Sequence, residues 1–344
     1  EQVVYRRGSR RPRSLDQVAP GDLHIVTNSS HDETLERLRS LDFPMLDWTH
    51  HDDISTEKLL AAVERGEIRL TVADADTLSL SRRIHRHLAE AFELGDPRPI
   101  AWAFNAIADD SLLQAADRFL ASLESSGELK RLRARYFGHT GRLNFVDVRE
   151  FWRQVRDRLP ALRPYFEEAA AATGLDWRLL AAIGYQESHW RADAVSPTGV
   201  RGIMMLTQST AQQMDVSDRN DPRQSILGGA RYLRVVEKKI PKRIDPINRL
   251  WLTLAGYNVG FGHLEDARIL TERDGGNPDL WLDVKQRLPL LAQKKYHSTV
   301  RHGFARGSEP VNYVDNIRNF YELLVWFSTT DDLETKQRLL LADT

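Results

Sequence analysis

One carboxyl stands where a helix should be greasy. In "AAIGYQESHW" (181–190), Leu180, Ile183, Glu187 and Trp190 are spaced by three, four and three, so they share one face of a predicted helix. A glutamate partly desolvated on such a face has its pKa pushed up towards neutrality, which is what a general acid needs. Gly184 lies three residues earlier on the same side. A glycine there gives up about 1 kcal/mol of helix stability relative to alanine, which makes sense if another segment must approach the helix just below the carboxyl. The following "RADAVSPTGVRG" holds Pro197, Gly199 and Gly202 and reads as a loop. A carboxyl at a helix end under a glycine-containing loop describes the wall of a cleft. The competing reading is a structural carboxylate that caps loop amides or pairs with Arg191 or Arg201, and the helix pattern alone does not choose between them.

Three later stretches could complete a site. "GVRGIMMLT" (199–207) follows the glutamate closely. "AGYNVGFGHL" (255–264) puts Tyr257 and Asn258 at a helix end, with Gly260 and Gly262 freeing the backbone. "GSEPVNYVDNIRNFY" (307–321) puts Tyr313 at a helix start. Each could also be plain packing: Tyr257 is at helical spacing from Leu250 and Leu254, and methionines such as Met204 and Met205 more often fill cores than line clefts.

Composition narrows the chemistry. The 344 residues exceed what one core usually serves, so two domains are expected. A hydrophobic share of 41% and a charged share of 28% fit an ordinary globular chain, and a net charge of −1 gives no pull towards nucleic acid. No run is long and apolar enough for a membrane span, and no signal peptide opens the sequence. The absence of cysteine excludes thiol catalysis, disulfides and thiolate metal sites. "HHDD" (50–53) is the densest histidine cluster, but adjacent residues diverge on a helix or strand, so it reads as a solvated loop and no metal or cofactor is expected. Arg6, Arg7, Arg10, Arg11 and Arg13 read as a solvated arm.

The elements that must position these residues fall into two parts. Residues 1 to about 138 alternate strand-like and helical stretches: strands at "LHIVTN" (23–28), "IRLTVAD" (68–74) and "PIAWAFN" (99–105), with helices at "SSHDETLERLRSL", at "STEKLLAAVERGE" and over 111–137, the last broken at Gly127. That alternation suggests parallel βαβ units. From about residue 146 only helical spacing is found, from "VREFWRQVRDRLPALRPYFEEAAAATG" to "YVDNIRNFYELLVWF", so the second part reads as all-α. The polar "GHTGRLN" (138–144) is the expected join.

Taken in order, E-S, S-P-x-G-x-x-G-[ILM]-M, A-x-Y-N-x-G and Y-V-x-x-I resemble the catalytic domain of soluble-type lytic transglycosylases, a goose-lysozyme-like α-fold acting on bacterial peptidoglycan. The resemblance covers roughly residues 150 to 330. It implies that Glu187 is the single catalytic acid, followed by Ser188. It implies further that Ser196 lies near the carboxyl and the substrate's N-acetyl group, that Met204 lines the sugar cleft, that Asn258 beside Tyr257 contacts sugar, and that the Tyr313 hydroxyl points at Glu187. Met205 departs from the glutamine common in the family, and Gly256 interrupts the A-Y-N motif. The implied reaction uses one carboxylate with help from the substrate, needs no cofactor, and leaves 1,6-anhydromuramyl ends. A hydrolytic lysozyme on the same fold is the nearest alternative, and a non-catalytic wall-binding or amino-acid-binding protein is the next.

The first part is similar to a periplasmic solute-binding domain, and the pair together resembles the membrane-bound lytic murein transglycosylase F family. The expected class is α+β multidomain: an incomplete periplasmic-binding-protein-like α/β domain over 1–140 and an all-α lysozyme-like domain over 146–335. The resemblance implies that Ser29 and Ser30, at a helix N-terminus, receive a ligand carboxylate, and that Asp74, with Asp76 as rival, receives its amine. It implies glycan strands as substrate, a muropeptide or stem peptide as regulatory ligand, and a periplasmic site with peripheral outer-membrane association. The chain is expected to begin mid-domain, "VVYRRGS" serving as a crossover between lobes.

Overall fold

The computed structural model describes residues 1–85, 87–105, 109–137 and 145–329. The chain divides into two compact units, Glu1–Gly127 and Glu128–Thr344. The expected join at 138–144 lies outside the described residues.

The first unit is built on a five-stranded sheet of order β3-β2-β4-β1-β5, formed by β1 (Gln2–Arg6), β2 (Leu23–Val26), β3 (Thr49–His51), β4 (Leu70–Ala73) and β5 (Leu88–Glu93). Side chains alternate across it as the period of two requires. Val3, Ile25 and Val72 enter one core with Leu35 and Trp48, while Val4, Ala73 and Leu88 enter the other with Leu60 and Leu78. Both faces are covered: α1 (Ser30–Leu41) contributes to the first core, and α2 (Thr56–Arg65) and α3 (Ala75–Ser81) to the second. Gly66 ends α2 with φ +76°, as its left-handed cap position requires.

Three expectations change here. The sheet is mixed: β2 is parallel to β3 and β4, but β1 runs antiparallel between β4 and β5. "VVYRR" forms strand β1 as far as Arg6, and beyond it Arg7, Arg10, Arg11 and Arg13 are exposed as expected, Arg11 also bonding the Ala91 carbonyl. In "HHDD", His50 and His51 belong to β3, with His50 Nε2 2.9 Å from Asp32 Oδ1. "PIAWAFN" forms no strand, because no neighbour completes its backbone ladder among the described residues, and Ile100 and Trp102 are exposed. The helix over 111–137 splits as expected into α4 (Ser111–Ser125) and α5 (Glu128–Phe137) around Gly127 at φ +71°.

The second unit is helical: α6 (Phe145–Asp157), α7 (Leu159–Thr173), α8 (Trp177–Ser188), α9 (Gln208–Gln213), α10 (Pro222–Lys239), α11 (Pro246–Val259), α12 (Phe261–Arg273), α13 (Trp281–Arg287), α14 (Lys294–His297) and α15 (Ser308–Thr329). The first helical stretch breaks at Arg158, because Pro160 lacks the amide a continuing helix would use and sits instead in the first turn of α7. Helix α8 is buried almost all round, from Leu179 to Tyr185, against α7 and α15. An aromatic cluster fixes that packing: Tyr185 lies 4.9 Å from Phe151, 4.6 Å from Phe320 and 5.0 Å from Trp190 between ring centres. Such pairs add about 0.5–1.5 kcal/mol each beyond the area they bury. The cluster joins α6, α8 and α15, which brings the end of α8 to the start of α15.

Candidate active site

Glu187 occupies the last turn of α8. The helix opens at Asp176, whose carboxylate accepts from the Arg178 amide, and closes at His189, which takes the left-handed conformation (φ +51°). Trp190 follows at φ +58° and folds back, donating its Nε1–H to the Ala181 carbonyl at 2.8 Å. This reversal moves Trp190 off the helix proper. Glu187 as a whole is half-buried, and protein atoms crowd its carboxyl. Tyr313, in the first turns of α15, donates its hydroxyl to Glu187 Oε1 at 2.6 Å. Desolvation raises the Glu187 pKa to about 7 and the Tyr313 hydrogen bond opposes that rise. No other charge shapes it. Among the described residues neither Arg191 nor Arg201 pairs with Glu187, so the ion-pair alternative falls away. Burial first, and the Glu187 charge second, push the Tyr257 and Tyr313 phenols well above their usual range, so both stay protonated as donors.

The loop after α8 is pinned against it. A Cβ on Gly184 would stand 3.1 Å from Ile203 Cγ2, so the approaching segment that the glycine predicted is "GIMM". Ser188, buried, donates to the Ile203 carbonyl at 2.9 Å. Gly202, at φ +81°, lies so close to the Arg219 carbonyl that a Cβ would fall 1.8 Å from that oxygen. Arg219 itself donates to the carbonyls of Gly199 and Leu206 at 3.0 Å each. The Met204 amide donates to Ser225 Oγ, and Met204 packs over Gly229, where a Cβ would be 2.6 Å away. Tyr257, on α11, donates its hydroxyl to the Met204 carbonyl at 3.0 Å. Arg219, Ser225 and Tyr232, whose ring lies 5.4 Å from that of Tyr257, are parts of this site that no sequence pattern singled out.

The structure thus gathers Glu187, Ser188, Met204, Tyr257 and Tyr313 into one connected cluster. Ser188 and Met204 face inward, Met204 completely, so they hold the loop instead of lining an open cleft. Met205 is half-buried at φ +45°, a costly conformation for a side-chain-bearing residue. Ser196 accepts from the amides of Thr198 and Val200 at 3.2 Å each, shaping the loop, and makes no hydrogen bond to Glu187. Asn258 is exposed at the end of α11, and among the described residues no hydrogen bond engages its side-chain amide. In the first unit, Ser29 caps α1 by accepting from the Asp32 amide at 3.2 Å, Ser30 begins that helix, and Asp74 stands at the N-terminus of α3, 3.6 Å from His31 Nε2.

Comparison with known proteins fits this geometry. The family model described as "Transglycosylase SLT domain" matches residues 164–277, a span that holds Glu187, Ser196, Met204, Tyr257 and Asn258 and ends before Tyr313. Membrane-bound lytic murein transglycosylase F of Pectobacterium atrosepticum is 45% identical over 342 residues, covering 99% of this chain and 70% of that protein. The protein of the same name from Aliivibrio fischeri is 46% identical over 345 residues, covering 100% of this chain and 69% of its own. The chain belongs to the membrane-bound lytic murein transglycosylase F family. A family member from Alkalilimnicola ehrlichii, membrane-bound lytic murein transglycosylase F 1, is 48% identical over 324 residues, with 94% of this chain and 66% of that protein aligned. The chain therefore spans about two thirds of the length of these relatives. The 70 kDa soluble lytic transglycosylase of Escherichia coli aligns with 87% of this chain and 45% of its own at a TM-score of 0.38 and 14% identity, a likeness too slight to carry weight. Among the described residues no helix is long and apolar enough to cross a membrane.

Proposed function

We propose that this chain is a peptidoglycan lytic transglycosylase that cleaves the β-1,4 bond between N-acetylmuramic acid and N-acetylglucosamine. One observation carries the mechanism: Glu187 is a carboxyl with a pKa of about 7, held by Tyr313 and, among the described residues, influenced by no second carboxylate. Two-carboxylate glycosidases divide acid and nucleophile between two groups; here one group must serve twice. Protonated Glu187 gives its proton to the glycosidic oxygen as the bond to carbon 1 of the muramic residue breaks. The substrate's own N-acetyl carbonyl supports the developing cation. Glu187, now a carboxylate stabilised by the Tyr313 hydroxyl, takes the proton of the sugar's 6-hydroxyl while that oxygen bonds carbon 1. The acid is regenerated, water is not consumed, and the product carries a 1,6-anhydro ring. Near pH 7 a pKa of about 7 leaves both protonation states accessible, as an acid that must turn base requires. Asn258, exposed and unengaged, serves as a sugar contact, while Ser188, Ser196, Met204, Met205 and Tyr257 shape the loop beside the acid.

We extend the reading to a lysozyme-like catalytic domain over 146–335 and a solute-binding-like domain over 1–140. The N-terminus of α1 at Ser29 and Ser30 would take the carboxylate of a muropeptide or stem peptide, and Asp74 its positive group; the placement of Asp74 beside α1, through His31, supports this. The relatives' "membrane-bound" title supports a place in a Gram-negative envelope, with peripheral association to the outer membrane. Digestion of purified sacculi by the chain and by Glu187→Gln, followed by mass spectrometry of the soluble ends, tests the reaction. Anhydromuramyl ends from the parent and none from the variant are expected. Reducing muramyl ends would make it a hydrolase, and release by the variant would remove Glu187 from the chemistry.

A further inference from the structure

Three metal-ligating side chains converge in the first unit at a place the reaction does not use. The antiparallel register of β1 on β4 sets Gln2 opposite Ala73, which carries Glu1 to the level of Asp74. The Leu94 amide fixes the Glu1 carbonyl at 2.9 Å. The first turn of α1 adds His31, which is 5% exposed. Its Nε2 is fully enclosed and has no hydrogen-bond partner, and the same holds for Glu1 Oε2. Buried polar atoms left without partners are rare enough to need a reason. Glu1, His31 and Asp74 each offer a ligand atom, all within 4.8 Å of one another.

The spacing separates two kinds of cation. Around a four-coordinate zinc with ligand bonds of roughly 2.0–2.2 Å, two ligands stand roughly 3.3–3.6 Å apart. Around an ammonium with hydrogen bonds of roughly 2.7–2.9 Å, two acceptors stand roughly 4.4–4.7 Å apart. His31 Nε2 and Asp74 Oδ1 are 3.6 Å apart, too far to bond each other and at the upper edge of the zinc spacing. The Glu1 carboxylate lies within 4.8 Å of both, a looser spacing that a bound zinc must draw in, and the Asp74 side chain, 58% exposed, leaves a way in from solvent. Imidazole beside carboxylates suits zinc and its transition-metal neighbours, whereas calcium and magnesium take oxygen ligands alone.

We propose that Glu1, His31 and Asp74 together bind one transition-metal dication, with zinc the best fit. The site goes beyond the transglycosylase reading and does not depend on it. Its one link to the ligand proposal is that metal and a ligand's positive group compete for Asp74.

Calorimetric titration of the full chain with zinc chloride in a non-chelating buffer tests the site. One zinc per chain is expected, with affinity lowered more than about tenfold by Asp74→Asn and by His31→Gln. Asp74 is largely exposed, so its variant keeps the fold even if the buried histidine variant does not. His24→Gln is the control, because His24 and His51 form a histidine pair away from the proposed ligands, their ring nitrogens 2.9 Å apart in a hydrogen bond. Unchanged binding in Asp74→Asn, or loss in His24→Gln, would overturn the proposal. So would Asp74-dependent binding of an alanyl peptide by a chain that ignores zinc. Sacculus cleavage by Glu187 is read in a separate assay, so failure of the metal site and failure of the transglycosylase reading are told apart.

Discussion

Tyr313→Phe removes one hydroxyl and should shift the pH profile in a direction fixed by the site. The phenol donates to Glu187 Oε1 at 2.6 Å and favours the ionised carboxylate, working against the desolvation that raises its pKa to about 7. A hydrogen bond to a charged group is worth about 1.5–3 kcal/mol, or about 1–2 pH units at about 1.36 kcal/mol per unit. The same hydroxyl also bonds the neutral acid, so a net rise of about one unit is the working figure, from about 7 to about 8. The first step needs the protonated acid, so kcat/KM falls above that pKa, and the falling limb of the variant should lie about one unit higher. At pH 8 the parent then keeps about a tenth of its acid protonated and the variant about half. Whatever the absolute loss from poorer positioning, the ratio of variant to parent kcat/KM should climb about fivefold between pH 6 and pH 8. Release of soluble muropeptides from sacculi measures it. A ratio that is flat or falls with pH would refute both the assignment of the limb to Glu187 and the role of Tyr313 in setting it.

The remaining predictions concern stability and substrate contact. The folded chain holds the Glu187 proton more tightly than the unfolded chain, about 7 against 4.5, so stability is lost as pH rises through that window; about 2.5 units correspond to about 3 kcal/mol. Glu187→Gln has no such loss, so in urea melts its stability relative to the parent should grow by about 3 kcal/mol from pH 4.5 to pH 8. Gly199 and Gly202 both have positive φ, at +84° and +81°, but only Gly202 faces a carbonyl where a Cβ would go. Gly199→Ala should therefore lose about 1 kcal/mol from backbone strain alone, whereas Gly202→Ala should lose about 3 kcal/mol or more and most activity by displacing the loop on Glu187. Asn258→Ala should leave melts unchanged and lower kcat/KM by about tenfold, the scale of one polar contact.

The sequence made the acid and its support legible because both are local. The spacing around Glu187 marks the buried face of α8, and Gly184 marks where Ile203 comes in. Tyr313 was reachable only through resemblance, since its bond to Glu187 spans 126 residues and no local pattern encodes that closure. Arg219 left no signal at all: it acts by its backbone carbonyl against Gly202 and by one guanidinium nitrogen shared between two loop carbonyls, and an arginine in "SDRNDP" looks solvated. In the first unit, β5 went unread because "LAEAFE" carries alanine and glutamate, residues that favour helix until a sheet edge recruits them. "PIAWAFN" failed the other way, with strand-like residues that have no ladder to join.

The pairing of Glu187 with Tyr313 also orders events in time. A ribosome completes α8, the pinned loop and α11 well before it reaches Ser308, where α15 begins. Until α15 docks, Glu187 lacks the phenol that steadies its charged form. The proposed acid is therefore completed late, by a helix far along the chain, and a product ending before α15 would carry Glu187 without the hydroxyl that holds it.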